Sequence, residues 1–239
     1  APNPITTICI VTPEKQCIVL ATKDLDNQTQ SKIQKQINEH FKDIDDDFSF
    51  TFKCFKSEFN IVLGKGAGAG FSSGYKNIVM GNQAAAGHNG IENVVIGHQA
   101  MGGGSTGVDK TIIIGYQAAY NINSANADGT IAIGYKAGGS ITSGAGNTAI
   151  GYEALLTEDT GGGNTAIGYQ ALKLNNVDSS TAGNTVIGYQ AATAFTNHQR
   201  NTIIGYQAAL SADGGENNNT IIGWQAGMSM NSNDASNNV

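Results

Sequence analysis

From residue 60 to residue 228, apolar and polar positions recur in one short phrase, seen most clearly at 164–171 (NTAIGYQA) and 201–208 (NTIIGYQA). Three residues that are small, β-branched or apolar precede a glycine, and an aromatic residue, Gln and Ala follow it. A period of this kind is typical of a solenoid in which each repeat forms one coil. The pattern therefore predicts a mainly β chain with a parallel β-solenoid (β-roll) of ten coils. The anchoring glycines, 16 to 20 residues apart, are Gly64, Gly81, Gly97, Gly115, Gly134, Gly151, Gly168, Gly188, Gly205 and Gly223.

The three β-branched, small or apolar residues before each glycine predict a short strand, whose alternate side chains point to opposite faces. We predict that the first and third positions, such as Ile61 and Leu63, line the coil's own core. The middle position then points outward, although it is apolar in all ten coils. Strands that are apolar on both faces are usually buried on both. Other copies of the chain are therefore expected to cover this column, at Val62, Val79, Val95, Ile113, Val186, Ile203 and Ile221.

The polar columns predict ladders along the stack. Asn begins eight of the ten phrases and fits an amide ladder, and Gln, two residues after the glycine in seven phrases, fits another. Ala at the third position after every glycine predicts that the opposite wall of the coil approaches closely.

The aromatic column is the sharpest candidate for ligand contact. Its rings are expected to stack roughly 5 Å apart, one per coil. An exposed ladder would offer flat apolar faces and polar tips to a glycan or a protein; a ladder that shields the core would be purely structural. His98 takes the aromatic place in one coil. The column consists of Tyr116, Tyr135, Tyr152, Tyr169, Tyr189, Tyr206 and Trp224.

Residues 1–58 differ in composition and predict a small α+β domain. Strands are expected at 5–12 and 16–22, a helix at 25–46, and a further strand at 48–55 where Phe alternates with polar residues. This ββαβ unit would either attach the chain to a larger assembly or cap the open end of the solenoid. The solenoid is expected at 59–228, followed by a polar C-terminal tail at 229–239.

Charge excludes one class of function. The net charge is −6, and Arg200 is the only arginine. Nucleic-acid binding normally uses clustered Lys and Arg, so no nucleic-acid partner is expected. No apolar run approaches the roughly 20 residues that cross a bilayer, and no secretory signal is visible, so membrane insertion is not expected.

No catalytic constellation stands out, so the chain is expected to be non-enzymatic and to use no cofactor or metal. Its histidines are scattered, and its glycine-rich runs lack the phosphate-loop pattern. Glu158 with Asp159, or Asp213 with Glu216, could ligate Ca²⁺, or these could be solvated turn acids. Cys9, Cys17 and Cys54 are either reduced thiols or include a Cys9–Cys17 bridge.

The phrase at 164–171 closely resembles the head repeats of trimeric autotransporter adhesins, and it is similar to the repeats of phage and viral tail-fibre proteins. The resemblance spans 60–228. It implies that each chain forms a left-handed parallel β-roll. It also implies a homotrimer, in which three rolls pack around a common axis and bury an apolar column. The residues after the repeats match none of the C-terminal domains of those families.

The leading expectation is a fibre or spike module on a virion surface that attaches to a host glycan or protein receptor; a bacterial cell surface is the alternative location. The free thiols and the absence of a signal favour assembly inside a cell. A minor capsid or cement protein that binds other virion proteins is the alternative function. Ice binding by the Thr column at 148–220 is disfavoured, because those threonines are expected to share the core face.

Overall fold

The computed structural model describes residues 60–230 except 105–106, 178–180 and 213–216. It also describes Lys32 and Lys35 and the short segments 5–11, 17–23, 50–51, 54–55 and 58–59. Within these residues the chain is a parallel β-solenoid with almost no helix. The predicted solenoid is therefore confirmed.

The N-terminal strands only partly follow the prediction. Strands β1 (Ile5–Val11) and β2 (Cys17–Lys23) form the expected antiparallel hairpin. Its register pairs Cys9 with Val19 and Cys17 with Val11, so the two cysteines do not lie opposite each other.

The strand predicted at 48–55 is divided between two sheets. Strand β3 (Phe50–Thr51) joins the solenoid sheet, whereas β4 (Cys54–Phe55) pairs with β5 (Glu58–Phe59). Of the helix predicted at 25–46, Lys32 and Lys35 are helical, and the remainder lies outside the described residues.

Ten three-residue strands form the solenoid wall. Each precedes an anchoring glycine, and neighbours pair in parallel and in chain order. They are β6 (Ile61–Leu63), β7 (Ile78–Met80), β8 (Val94–Ile96), β9 (Ile112–Ile114), β10 (Ile131–Ile133), β11 (Thr148–Ile150), β12 (Thr165–Ile167), β13 (Thr185–Ile187), β14 (Thr202–Ile204) and β15 (Thr220–Ile222). A single 3-10 turn, Ala125–Ala127, lies in one of the connecting loops among the described residues.

The core contains the middle column of the strands, which reverses the predicted assignment of the two faces. Every middle side chain is at most 7% exposed in the single chain, whereas the first and third positions are half-buried or exposed. The predicted trimer-interface residues therefore lie inside the coil, where no other copy can reach them: Val62, Val79, Val95, Ile113, Val186, Ile203 and Ile221.

Small residues on the opposite wall explain why the middle column faces inward. The alanines three residues after the glycines, such as Ala84 and Ala171, are buried against it, as the thin-coil prediction requires. Seven residues after the glycines, larger side chains such as Ile122, Ile141 and Phe195 complete the core. Met230 also packs against this core, so the last coil extends two residues beyond 228. The rest of the predicted tail, residues 231–239, lies outside the described residues.

The corner after each strand uses left-handed backbone. The anchoring glycines have φ between 125° and 147°, and the seven Gln of the ladder have φ between 50° and 54°. At Gly64 an added Cβ would lie 2.7 Å from the carbonyl oxygen of Gly81 in the next coil. Because both the turn and the close stacking exclude a side chain, glycine recurs once in every coil.

Candidate functional site

Aromatic rings form a continuous stack along one corner of the solenoid. From His98 through Tyr206, adjacent ring centroids are 4.8–5.4 Å apart and interplanar angles are 7–17°. The predicted spacing and the place of His98 in the stack are thus confirmed. The six tyrosines are 38–45% exposed, and Trp224 in the last coil is 72% exposed.

The stacking determines which part of each ring meets solvent. Parallel rings at this spacing cover one another's faces, so the inner members of the stack present their edges and phenolic hydroxyls. The flat faces expected from the sequence are therefore not available along the ladder. Any ligand of the stack would meet a row of hydroxyls that repeats once per coil.

A glutamine ladder runs beside the aromatic stack. Where two consecutive coils both carry Gln, the Nε2 of the later one donates to the Oε1 of the earlier one, as from Gln99 to Gln83 at 3.0 Å and from Gln225 to Gln207 at 3.0 Å. The ladder is interrupted where Lys136 and Glu153 replace Gln. Glu153 accepts from Gln170 and pairs with Lys173 (Nζ to Oε2, 2.7 Å), and these contacts lower the pKa of its carboxyl. The result is an uncharged polar strip with one charged patch near its middle.

The outer face of the strands is an apolar stripe without charged residues. Its third-position column is Leu63, Met80 and eight isoleucines, and its first-position column changes from Ile and Val to Thr at Thr148. Ile61 is 48% exposed and Ile222 is 63% exposed. We call these two columns the outer stripe. Ten strands at a spacing of about 4.8 Å make it roughly 45 Å long.

Thr in the outer stripe was the sequence signal for the correct orientation. Burying a hydroxyl in an apolar core without a hydrogen-bond partner is unfavourable. Thr148, Thr165 and Thr185 occupy the position that was predicted to face the core, whereas the middle position never carries a polar residue.

Buried asparagines hold the coils together next to the strands, as predicted. Asn147 is representative: its Oδ1 accepts from the Asn164 N–H at 2.9 Å, and its Nδ2 donates to the carbonyls of Gly144 at 3.0 Å and Gly161 at 2.9 Å. Thr111 replaces Asn in one coil and donates its hydroxyl to Asn93 Oδ1. The asparagine ladder is structural, since its side chains are buried and bond to backbone groups and to one another, with Asn164 Nδ2 as a buried exception that has no hydrogen-bond partner among the described residues.

Glu158 is a buried carboxylate in the wall opposite the strands, and not the solvated turn acid that the sequence allowed. It accepts from the N–H groups of Gly161 (2.9 Å) and Val177 (3.2 Å) and from Asn175 Nδ2 (2.8 Å). Burial raises the pKa of the Glu158 carboxyl, against the lowering effect of these donors. Donors surround the oxygens that a cation would need; the alternative Ca²⁺ pair, Asp213 and Glu216, lies outside the described residues.

Among the described residues no group of three or more His, Cys, Asp or Glu side chains is placed to hold a metal ion. The same part of the chain has no helix of the length and apolarity that a bilayer crossing demands.

The fold and the repeat together define a parallel β-solenoid repeat protein. No protein-family model matches the chain, and neither the curated proteins nor the solved structures include a match.

Proposed function

We propose that this chain is a non-enzymatic fibre or spike module in which three copies pack side by side through the outer stripe. The observation that carries the proposal is the stripe itself, because it is a mostly apolar, uncharged sheet face that a single chain leaves partly exposed. Apolar patches of this length on a soluble protein usually mark an interaction surface.

The solenoid geometry suits association along its whole length. The strands stack in register, so each coil presents its two outer positions directly beside those of its neighbours. Apolar contacts repeated over ten coils add up even when each is small. The number three and the left-handed coil come from the resemblance to adhesin and tail-fibre repeats.

The test replaces, in separate variants, two neighbouring isoleucines that lie on opposite faces of β14. Ile204→Asp places a charge in the outer stripe and should reduce the mass to one third of the parent's, with the β-sheet spectrum retained. Ile203→Asp places the charge in the core and should unfold the coils. Asn197→Asp, at an exposed position outside the stripe, is the control. Light scattering with circular dichroism reads both effects; a parent of one-chain mass, or an Ile204→Asp variant of unchanged mass, would contradict the proposal.

The module would be displayed on a particle surface, a virion in the leading case, and would attach to a host receptor. The exposed ring edges and hydroxyls of the aromatic stack are the proposed contact. Changing Tyr152, Tyr169 and Tyr189 together to Phe removes the hydroxyls and keeps the stack. We expect this variant to lose binding on glycan arrays or host cells, with an unchanged melting temperature; full retention of binding would exclude the stack as the contact.

The second candidate, a cement protein that only joins shell components, shares the fold and the outer stripe. It predicts no binding to cells or glycans by the parent protein and saturable binding to purified shell proteins.

Ice binding is a third candidate function, because the Thr column lies on the outer face and not in the core. The column consists of Thr148, Thr165, Thr185, Thr202 and Thr220. The same column carries Ile or Val in the first five coils, and the neighbouring third-position column carries no hydroxyl, so five of the twenty positions of the face offer hydroxyls. Thermal hysteresis in the parent would favour this function over lateral packing of the same face.

A further inference from the structure

The two ends of the solenoid sheet differ. At the N-terminal end, β3 pairs antiparallel with β6 and joins Phe50 to Leu63 and Thr51 to Val62. At the other end β15 is the edge strand, and no described strand pairs with its outer side. Among the described residues, one end of the sheet is thus covered by the chain and the other is open.

The hydrogen bonds between coils show which groups are open. In the preceding coil the Thr202 N–H donates to the Asn219 carbonyl at 2.8 Å, and the Ile204 carbonyl accepts from the Gly223 N–H at 2.8 Å. The equivalent groups of β15 are the Thr220 N–H and the Ile222 carbonyl. They point past the last coil, and within the described chain they have no corresponding backbone partner.

Two features that often protect an edge strand, proline and charged side chains, are missing from this coil, although β15 is short. Natural edges are blocked by Pro, by charged side chains or by bulges. Residues 219–228 contain no proline and no charged residue. Ile222 and Trp224 are also the most exposed members of their columns, at 63% and 72%.

We propose that β15 pairs antiparallel with β15 of a second copy, about a two-fold axis at Ile221, and so joins two solenoids end to end. Thr220 then lies opposite Ile222 of the second copy. Side chains in a strand alternate between faces, so this register places the core residue Ile221 beside its own equivalent and continues the outer stripe into the other rod.

The register also matches donors with acceptors. Thr220 and Ile222 both direct their backbone groups to the open side, because residues two apart share a side of the ladder. In an antiparallel pair, residues opposite each other at such positions exchange both N–H···O bonds. The contact is isologous, so it closes after two copies and leaves the β3-covered ends pointing outward.

Paired cysteines test the register. Opposite residues of a hydrogen-bonded antiparallel pair have Cα atoms about 5.5 Å apart, which a disulfide can span. The double variant Thr220→Cys with Ile222→Cys should give covalent dimers under mild oxidation on a non-reducing gel. Either single variant places its new cysteine opposite a non-cysteine residue and should match the parent, which reports any background from the native thiols.

Two further variants test the edge without charging the outer stripe. Thr220→Pro removes the N–H and should halve the mass measured by light scattering, whatever the lateral assembly; Thr220→Val keeps the N–H and should leave the mass unchanged. The proposal is overturned if the double variant behaves like the single ones or if Thr220→Pro keeps the parent's mass. It is also overturned if deletion of residues 231–239 doubles the mass, since those residues would then cover the edge.

Discussion

Asn147→Ala tests whether the asparagine ladder holds the coils together. The side chain is fully buried and bonds three backbone groups, the Asn164 N–H and the carbonyls of Gly144 and Gly161. Alanine fits the space but bonds none of them. The substitution therefore removes one partner from each of three buried polar groups in two adjacent coils.

The expected loss of stability follows from the number of groups affected. A buried donor or acceptor that loses its partner costs about 1–3 kcal/mol. Three such groups give roughly 3 kcal/mol as the lower bound, a large fraction of the 5–15 kcal/mol that usually stabilises a domain. For a chain of this size, that corresponds to a fall in melting temperature of about 6–12 °C.

Denaturant unfolding followed by circular dichroism measures the change. Asn147→Thr is the matched variant, because Thr111 and Thr130 occupy the same column and each donates its hydroxyl to one acceptor. It should lose less stability than Asn147→Ala, and Asn121→Ala, at an exposed position, should lose almost none. A loss below about 1 kcal/mol for Asn147→Ala, with an unchanged denaturant slope, would refute the assigned role.

Three other outcomes are expected. Gly168→Ala should destabilise far more than Gly223→Ala, because both glycines have φ of 134° but only at Gly168 would the added Cβ collide with the next coil; equal unfolding midpoints would show that the turn alone matters. Ile203→Ala should lower the free energy of unfolding by about 2–5 kcal/mol at any protein concentration, because Ile203 lies in the core. The loss caused by Ile204→Ala should depend on protein concentration, because Ile204 lies in the proposed interface. A concentration-dependent loss for Ile203→Ala would show that Ile203 lies in an interface between chains. Burial raises the pKa of the Glu158 carboxyl above its ordinary 4.5. Because the folded state then retains a proton that the unfolded state releases, the free energy of unfolding should fall as pH rises from 4.5 through the folded-state pKa. Urea midpoints across this range should lose that slope in Glu158→Gln, and an identical slope would exclude Glu158 as its source.

Several features could be predicted from single columns of the sequence. The glycine period gave the number of coils, and the Asn and Gln columns gave the ladders. In each case one residue type recurs where stacked backbones impose the same requirement in every coil. Glu158 and the left-handed backbone at the Gln positions could not be predicted in this way, because loop packing and corner geometry depend on contacts between coils.

The two faces of each strand show the limit of sequence reasoning. Alternation places Ile203 on one face and Thr202 and Ile204 on the other, and both faces are mostly apolar. Alternation alone therefore does not say which face is inside, and the threonines of the first position are the one sequence signal that does. The tertiary structure decides this through the corner at each glycine, which turns the chain so that the alanine wall packs against the middle column. The sequence by itself determined the solenoid and its period, because every coil repeats the same local chemistry. The direction of the turn in the folded chain placed the middle column in the core and left the first and third columns on the outer face.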